Sequence, residues 1–114
     1  MKAIRVRQFG GPDVMTLAEI PDPVPQPQQV LVRVHAAGVN PVETYIRTGT
    51  YARKPALPYT PGSDAGGVIE AVGRGATRLR VGQRVFVASS LDDTATGTYA
   101  EKVACHERFA HPLA

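Results

Sequence analysis

Few side chains in this sequence can bind a metal or attack a carbonyl, and their spacing decides what they can do. The soft ligands are Cys105, His35, His106 and His111. A zinc ion needs three or four such groups converging on it. Cys105 and His106 are neighbours, so a strand turns them to opposite faces, and the chain has no Cys-x-x-Cys or His-x-x-x-His spacing. No metal site is expected. There is no Gly-x-Ser-x-Gly elbow to expose a serine nucleophile, and Cys105 reads as a small core residue. The run Gly62-Ser63-Asp64-Ala65-Gly66-Gly67 lacks the spacings of phosphate-cradling loops, so no dinucleotide fold is expected within the chain. What remains is Asn40-Pro41-Val42-Glu43 and, further on, that glycine run. The two segments could face each other across a cleft, which by itself identifies no reaction.

The elements that must position these residues are short. Met1 to Gln8 alternates Ala3 and Arg5 against Ile4 and Val6, a period of two that predicts a strand with one buried face. Val14 to Ile20 reads as a second strand. Pro21, Pro23, Pro25 and Pro27 then forbid continuous ladder pairing and predict an extended connector. Val30 to Ala37 sets Val30, Val32 and Val34 on one face, the clearest strand of the chain. Asn40 is a side-chain acceptor before Pro41, with Glu43 at the third helical position, which predicts a short helix from Pro41 to Arg47 closed by Gly49. Tyr51 to Pro61 reads as an ordered loop, Gly62 to Gly67 as a glycine-rich turn with close backbone contacts, and Val68 to Val72 as a strand. Arg84 to Ala88, Thr98 to Cys105 and Phe109 to Leu113 complete a set that suits a small barrel.

Composition agrees. Ten prolines and eleven glycines in 114 residues interrupt helices and ladders alike, favouring short strands joined by turns. One cysteine leaves no internal disulfide framework, so nothing requires an oxidising compartment. No apolar run is long enough to span a membrane, and the amino terminus lacks the organisation of a secretion signal, so a cytoplasmic location is expected. The net charge of +3 is spread over scattered residues without a dense tract, which argues against nucleic-acid binding as a primary role. Arg47, Arg53 and Lys54 could attract an anionic cofactor or RNA phosphates, although solvated surface charge is the reading adopted.

Gly38-Val39-Asn40-Pro41-Val42-Glu43-Thr44-Tyr45-Ile46-Arg47-Thr48-Gly49-Thr50-Tyr51 and Leu57-Pro58-Tyr59-Thr60-Pro61-Gly62-Ser63-Asp64 resemble the zeta-crystallin-type NADPH:quinone oxidoreductases almost residue for residue. Phe9-Gly10-Gly11-Pro12, Val30 to Val34, Gly66 to Gly73 and Val81-Gly82-Gln83-Arg84-Val85 are similar to the amino-terminal domain of the wider medium-chain dehydrogenase/reductase superfamily. Gln83 stands where the superfamily usually has aspartate, which should weaken one turn contact.

The resemblance implies a mainly β, GroES-like, partly open barrel with one short helix over residues 1–114. It also implies that a full-length enzyme would continue into a Rossmann domain absent here. At the places where zinc-dependent relatives carry a cysteine and a histidine, this chain has Asn40 and Ser63, so zinc-independent chemistry is implied. NADPH would be held mainly by the absent domain and a quinone would be the acceptor, with Tyr45 contacting the cofactor near its nicotinamide end and Asn40 and Ser63 lining the substrate side. Asn40, Tyr45 and Ser63 are therefore the expected catalytic residues, and Tyr45 the expected cofactor contact. The isolated chain is expected to bind NADPH weakly and turn over little, and the full-length enzyme to be a homo-oligomer. Weak RNA binding, or a structural role without catalysis, is the alternative.

Overall fold

Apolar residues at every second position build most of this domain. In the computed structural model, which describes residues 1–52 and 54–113, β1 (Lys2–Val6) and β2 (Met15–Glu19) form an antiparallel ribbon. A five-stranded antiparallel sheet combines β3 (Gln29–Ala37), β4 (Asp64–Val72), β5 (Arg84–Ala88), β6 (Lys102–His106) and β7 (Ala110–Pro112) in the order β6-β3-β4-β5-β7. One helix, α1 (Pro41–Thr48), bridges β3 and β4. The sheet curls into a partly open barrel, and the β3/β4 register slips twice, between Leu31 and Val32 and between Val34 and Ala36. Such bulges bend a ladder and raise its twist.

The inward positions of these strands make the core. Val30 and Val32 of β3, Ile69 of β4, Val85 and Val87 of β5, and Val103 and Cys105 of β6 are fully buried in one cluster. On β5 the outward residues Arg84, Phe86 and Ala88 are exposed, so its alternation is complete. Burying each such aliphatic side chain contributes roughly 1.5–3 kcal/mol before conformational entropy is set against it.

Three expectations change against the structure. The glycine run is mostly strand, because β4 begins at Asp64 and carries Gly66 and Gly67 within its ladders to β3 and β5. The predicted strand from Thr98 starts at Lys102, because Thr98 and Tyr99 donate their backbone N–H groups to Gly62 and Pro61 instead. The first strand has no single buried face: Ala3 and Val6 are buried and Ile4 and Arg5 only half-buried. Its second edge explains this, since Ile4 N–H donates to Tyr99 O at 2.8 Å and Val6 N–H to Tyr59 O at 2.9 Å. Gln83 makes a turn contact, its Oε1 accepting from Arg80 N–H at 3.2 Å.

Candidate active site

Helix α1 begins where the local signals place it, and its first turn carries the site. Asn40 is the cap, Pro41 opens the helix, and Gly49 closes it in the left-handed region at φ 81°. Asn40 and Glu43 form a capping box in which the Glu43 carboxylate accepts the Asn40 backbone N–H. The Asn40 side chain also reaches out of the helix. Its Nδ2 donates to Glu43 Oε1 at 3.3 Å and to Asp64 Oδ1, at the start of β4, at 3.1 Å.

A third segment joins them. Tyr99 Oη donates to Glu43 Oε2 at 3.3 Å, so the carboxylate, only 6% exposed, has partners from the helix start and from the approach to β6. Two glycines make room for this cluster. A Cβ on Gly38 would stand 2.3 Å from Asp64 Oδ1, and one on Gly62, at φ 104°, would stand 2.7 Å from Tyr99 Cδ1. Burial first, then the adjacent Glu43 carboxylate, pushes the Tyr99 phenol up to about 12, so it remains a donor at neutral pH.

Above the cluster lies a cleft of about 630 Å³. Val42, Ile46, Tyr51 and Leu91 give it apolar walls, and Glu43, Ser63 and Ser89 are among its polar lining. The Ser63 carbonyl accepts from Ser89 N–H at 2.7 Å and from Ser89 Oγ at 3.1 Å, fixing the backbone there. The cleft is mixed in character, since Lys54, Asp92 and Asp93 also line it, and its apolar walls leave room for a flat ring with polar atoms at its edge.

Of the residues singled out from the sequence, Ser63 lines the cleft and Asn40 lies within the polar cluster one residue away, bonded to Asp64. Tyr45 stands apart. It sits on α1, its side chain is outside the cleft lining, and at 55% exposure its hydroxyl has no hydrogen-bond partner among the described residues. Arg47 is engaged within the domain, its Nε donating to Gly10 O at 3.3 Å, while Arg53 of the same basic stretch lies outside the described residues. Sequence reasoning missed Tyr99 and saw Glu43 only as a cap. No local signal joins Tyr99 to Glu43, which lie 56 residues apart.

Among the described residues no three His, Cys, Asp or Glu side chains converge as a metal cluster. Cys105 is fully buried, and burial first, then the charge of Asp92, pushes its thiol up to about 12, far from a reactive thiolate. Gly66 and Gly67 have their backbone in the β4 ladders, so that run offers no phosphate cradle.

Comparison with known proteins gives this geometry its context. Residues 26–114 match the family described as alcohol dehydrogenase GroES-like domain. The chain is 55% identical over 114 residues to a rat quinone oxidoreductase and 60% identical over 102 residues to the human one, matches that take in 99% and 89% of the chain. It spans about a third of the length of these relatives, 33% of the rat protein and 30% of the human. Among solved structures, an Escherichia coli quinone oxidoreductase complexed with NADPH superposes with a TM-score of 0.90 at 31% identity, covering 100% of this chain and 33% of that one. A mycobacterial protein complexed with NADPH does so at 0.87 and 36% identity, covering 100% and 34%. The chain belongs to the alcohol dehydrogenase GroES-like domain family, and the rat, human and Escherichia coli proteins it resembles are quinone oxidoreductases.

Proposed function

We propose that residues 1–114 act as the catalytic, substrate-side domain of an NADPH:quinone oxidoreductase that works without zinc. The observation that carries this reading is the cleft itself: apolar walls from Val42, Ile46, Tyr51 and Leu91 suit a flat quinone ring, and Ser63 stands at its lining with a hydroxyl for a quinone oxygen. Reduction puts negative charge on a phenolic oxygen that is intrinsically stable, so hydrogen-bond donors in a shaped slot suffice and no Lewis acid is required. The zinc-free reading rests on Asn40 and Ser63, poor zinc ligands at the two positions where zinc-dependent relatives carry cysteine and histidine.

NADPH, when bound, supplies the reducing equivalents, and this chain fits only one end of it. The glycine run cannot cradle a diphosphate, so a nucleotide-binding domain outside this sequence would hold that end. Tyr45, exposed and with a free hydroxyl among the described residues, suits contact with the nicotinamide end. Asn40 holds the start of the helix against Asp64, keeping α1 and the Ser63 turn on the two sides of the slot.

In the enzyme extended through its nucleotide-binding domain, NADPH oxidation should depend on an added ortho-quinone, whereas the isolated chain should show no turnover above background. An extended enzyme that leaves NADPH untouched in the presence of quinones would overturn the proposal. The reading also carries a cytoplasmic location and a homo-oligomeric full-length enzyme, the latter checked by light scattering. Weak RNA retention would be a secondary property, visible as binding that salt abolishes.

A further inference from the structure

Glu43 is 6% exposed, yet it contacts the cleft and accepts hydrogen bonds from the Asn40 backbone, from Asn40 Nδ2 at 3.3 Å and from Tyr99 Oη at 3.3 Å. A carboxylate taken this far from water is costly unless donors surround it, and here they come from two segments far apart in the chain. Asn40 Nδ2 extends the chain of bonds to Asp64, next to Ser63. Capping alone needs only the Asn40–Glu43 pair. It leaves unexplained why Tyr99 turns its hydroxyl inward, and why Gly38 lacks the Cβ that would displace Asp64.

We infer that Glu43 and Tyr99 are positioning residues of the site. Their hydrogen bond ties α1 to the segment before β6, and through Asn40 and Asp64 to the Ser63 turn, so it sets the width of the slot into which the acceptor fits. The inference rests on the proposed quinone site. Neither residue need touch the reacting atoms, since a slot held at another width binds the acceptor less well in ground state and transition state alike, which raises KM and leaves kcat nearly unchanged.

The test uses Glu43→Gln and Tyr99→Phe in the extended enzyme, with acceptor KM and kcat measured separately and thermal unfolding followed alongside. Tyr99→Phe removes one hydroxyl and keeps the ring beside Gly62, so it reads the network in a folded protein should Glu43→Gln fail to fold. In a folded variant the acceptor KM is expected to rise about tenfold with kcat changed less than about twofold, and the Asn40 side-chain amide resonances to shift. A residue that only stabilises the fold would lower Tm and leave KM where it was, and that result overturns the inference. If the parent enzyme fails to couple NADPH oxidation to a quinone, the functional reading falls, while the Asn40 resonances in the variants still decide whether the network positions that side chain.

Discussion

Asn40 Nδ2 lies 3.1 Å from Asp64 Oδ1, joining the cap of α1 to the first residue of β4. One side chain thus serves local and long-range structure together, as helix cap and as a tie between two sides of a cleft.

Replacing it separates these roles. Asn40→Ala removes the cap and leaves the buried Glu43 carboxylate short of a donor, and should cost about 1–2 kcal/mol in urea unfolding. Asn40→Asp keeps a capping oxygen but sets a third carboxyl beside Glu43 and Asp64. Crowded like charges destabilise the folded variant once its carboxyls ionise. That variant's stability should therefore be fully present below about pH 4 and lost relative to the parent as pH rises toward neutrality. Parallel unfolding curves for the two proteins between acid and neutral pH would contradict this.

Tyr45 predicts the opposite pattern, function without stability. Its ring is 55% exposed, so Tyr45→Ala should change the unfolding free energy of this chain by no more than about 0.5 kcal/mol. In the extended enzyme the same substitution should raise the KM for NADPH several-fold. A large fall in Tm with unchanged kinetics would make Tyr45 a packing residue.

The contrast between these residues marks what was legible in the sequence. Helix α1 was predicted over 41–47 and runs over 41–48, because Asn40, Pro41, Glu43 and Gly49 are all local signals. Strand β5 matched at both ends, and its buried and exposed residues alternate throughout. The start of β4 was missed, because Gly66 and Gly67 suggest a turn until the backbone of β3 is known to pass beside them. The start of β6 was missed for a related reason: Thr98 and Tyr99 pair with Pro61 and Gly62, some three dozen residues away, in a contact no local pattern announces. Ser63 and Asn40 became site candidates through family resemblance, while Tyr99, whose role depends on Glu43 alone, gave no sign.

Alkaline pH should ionise two acids whose protons the fold holds, one buried and one half-buried. Burial, aided by Glu43, holds the Tyr99 phenol up to about 12, and burial, aided by Asp92, holds the Cys105 thiol up to about 12. Both groups bind their protons more tightly in the folded chain. The stability this contributes is complete below their unfolded values, 10.0 for the phenol and 9.0 for the thiol, and is lost as pH climbs through about 12. Unfolding free energy should be level near neutrality and fall above about pH 10, with Tyr99→Phe flattening part of that fall. At pH values near 8, Cys105 should react with a thiol reagent only at the rate of unfolding, and fast labelling of the native chain would refute its burial.

Adjacent glycines on β4 should respond oppositely to the same substitution. Gly67 pairs with Val34 on one side and Val85 on the other, and a Cβ there would stand 2.1 Å from Arg33 O and 2.8 Å from Val32 Cγ1. Backbone cannot yield as a flexible side chain does, so Gly67→Ala must part β3 from β4 at the centre of the core. A cost of about 2–3 kcal/mol is expected, with the lost packing visible as a lower Tm. At Gly66 an added Cβ meets nothing within 4 Å, and its pair-mates are Ala36 and the outward Phe86. Alanine there only narrows the unfolded ensemble, so Gly66→Ala should be neutral or stabilise by up to about 1 kcal/mol. Urea unfolding of the two variants side by side is the measurement, and equal midpoints would show that the β3–β4 approach is looser at Gly67 than these distances require.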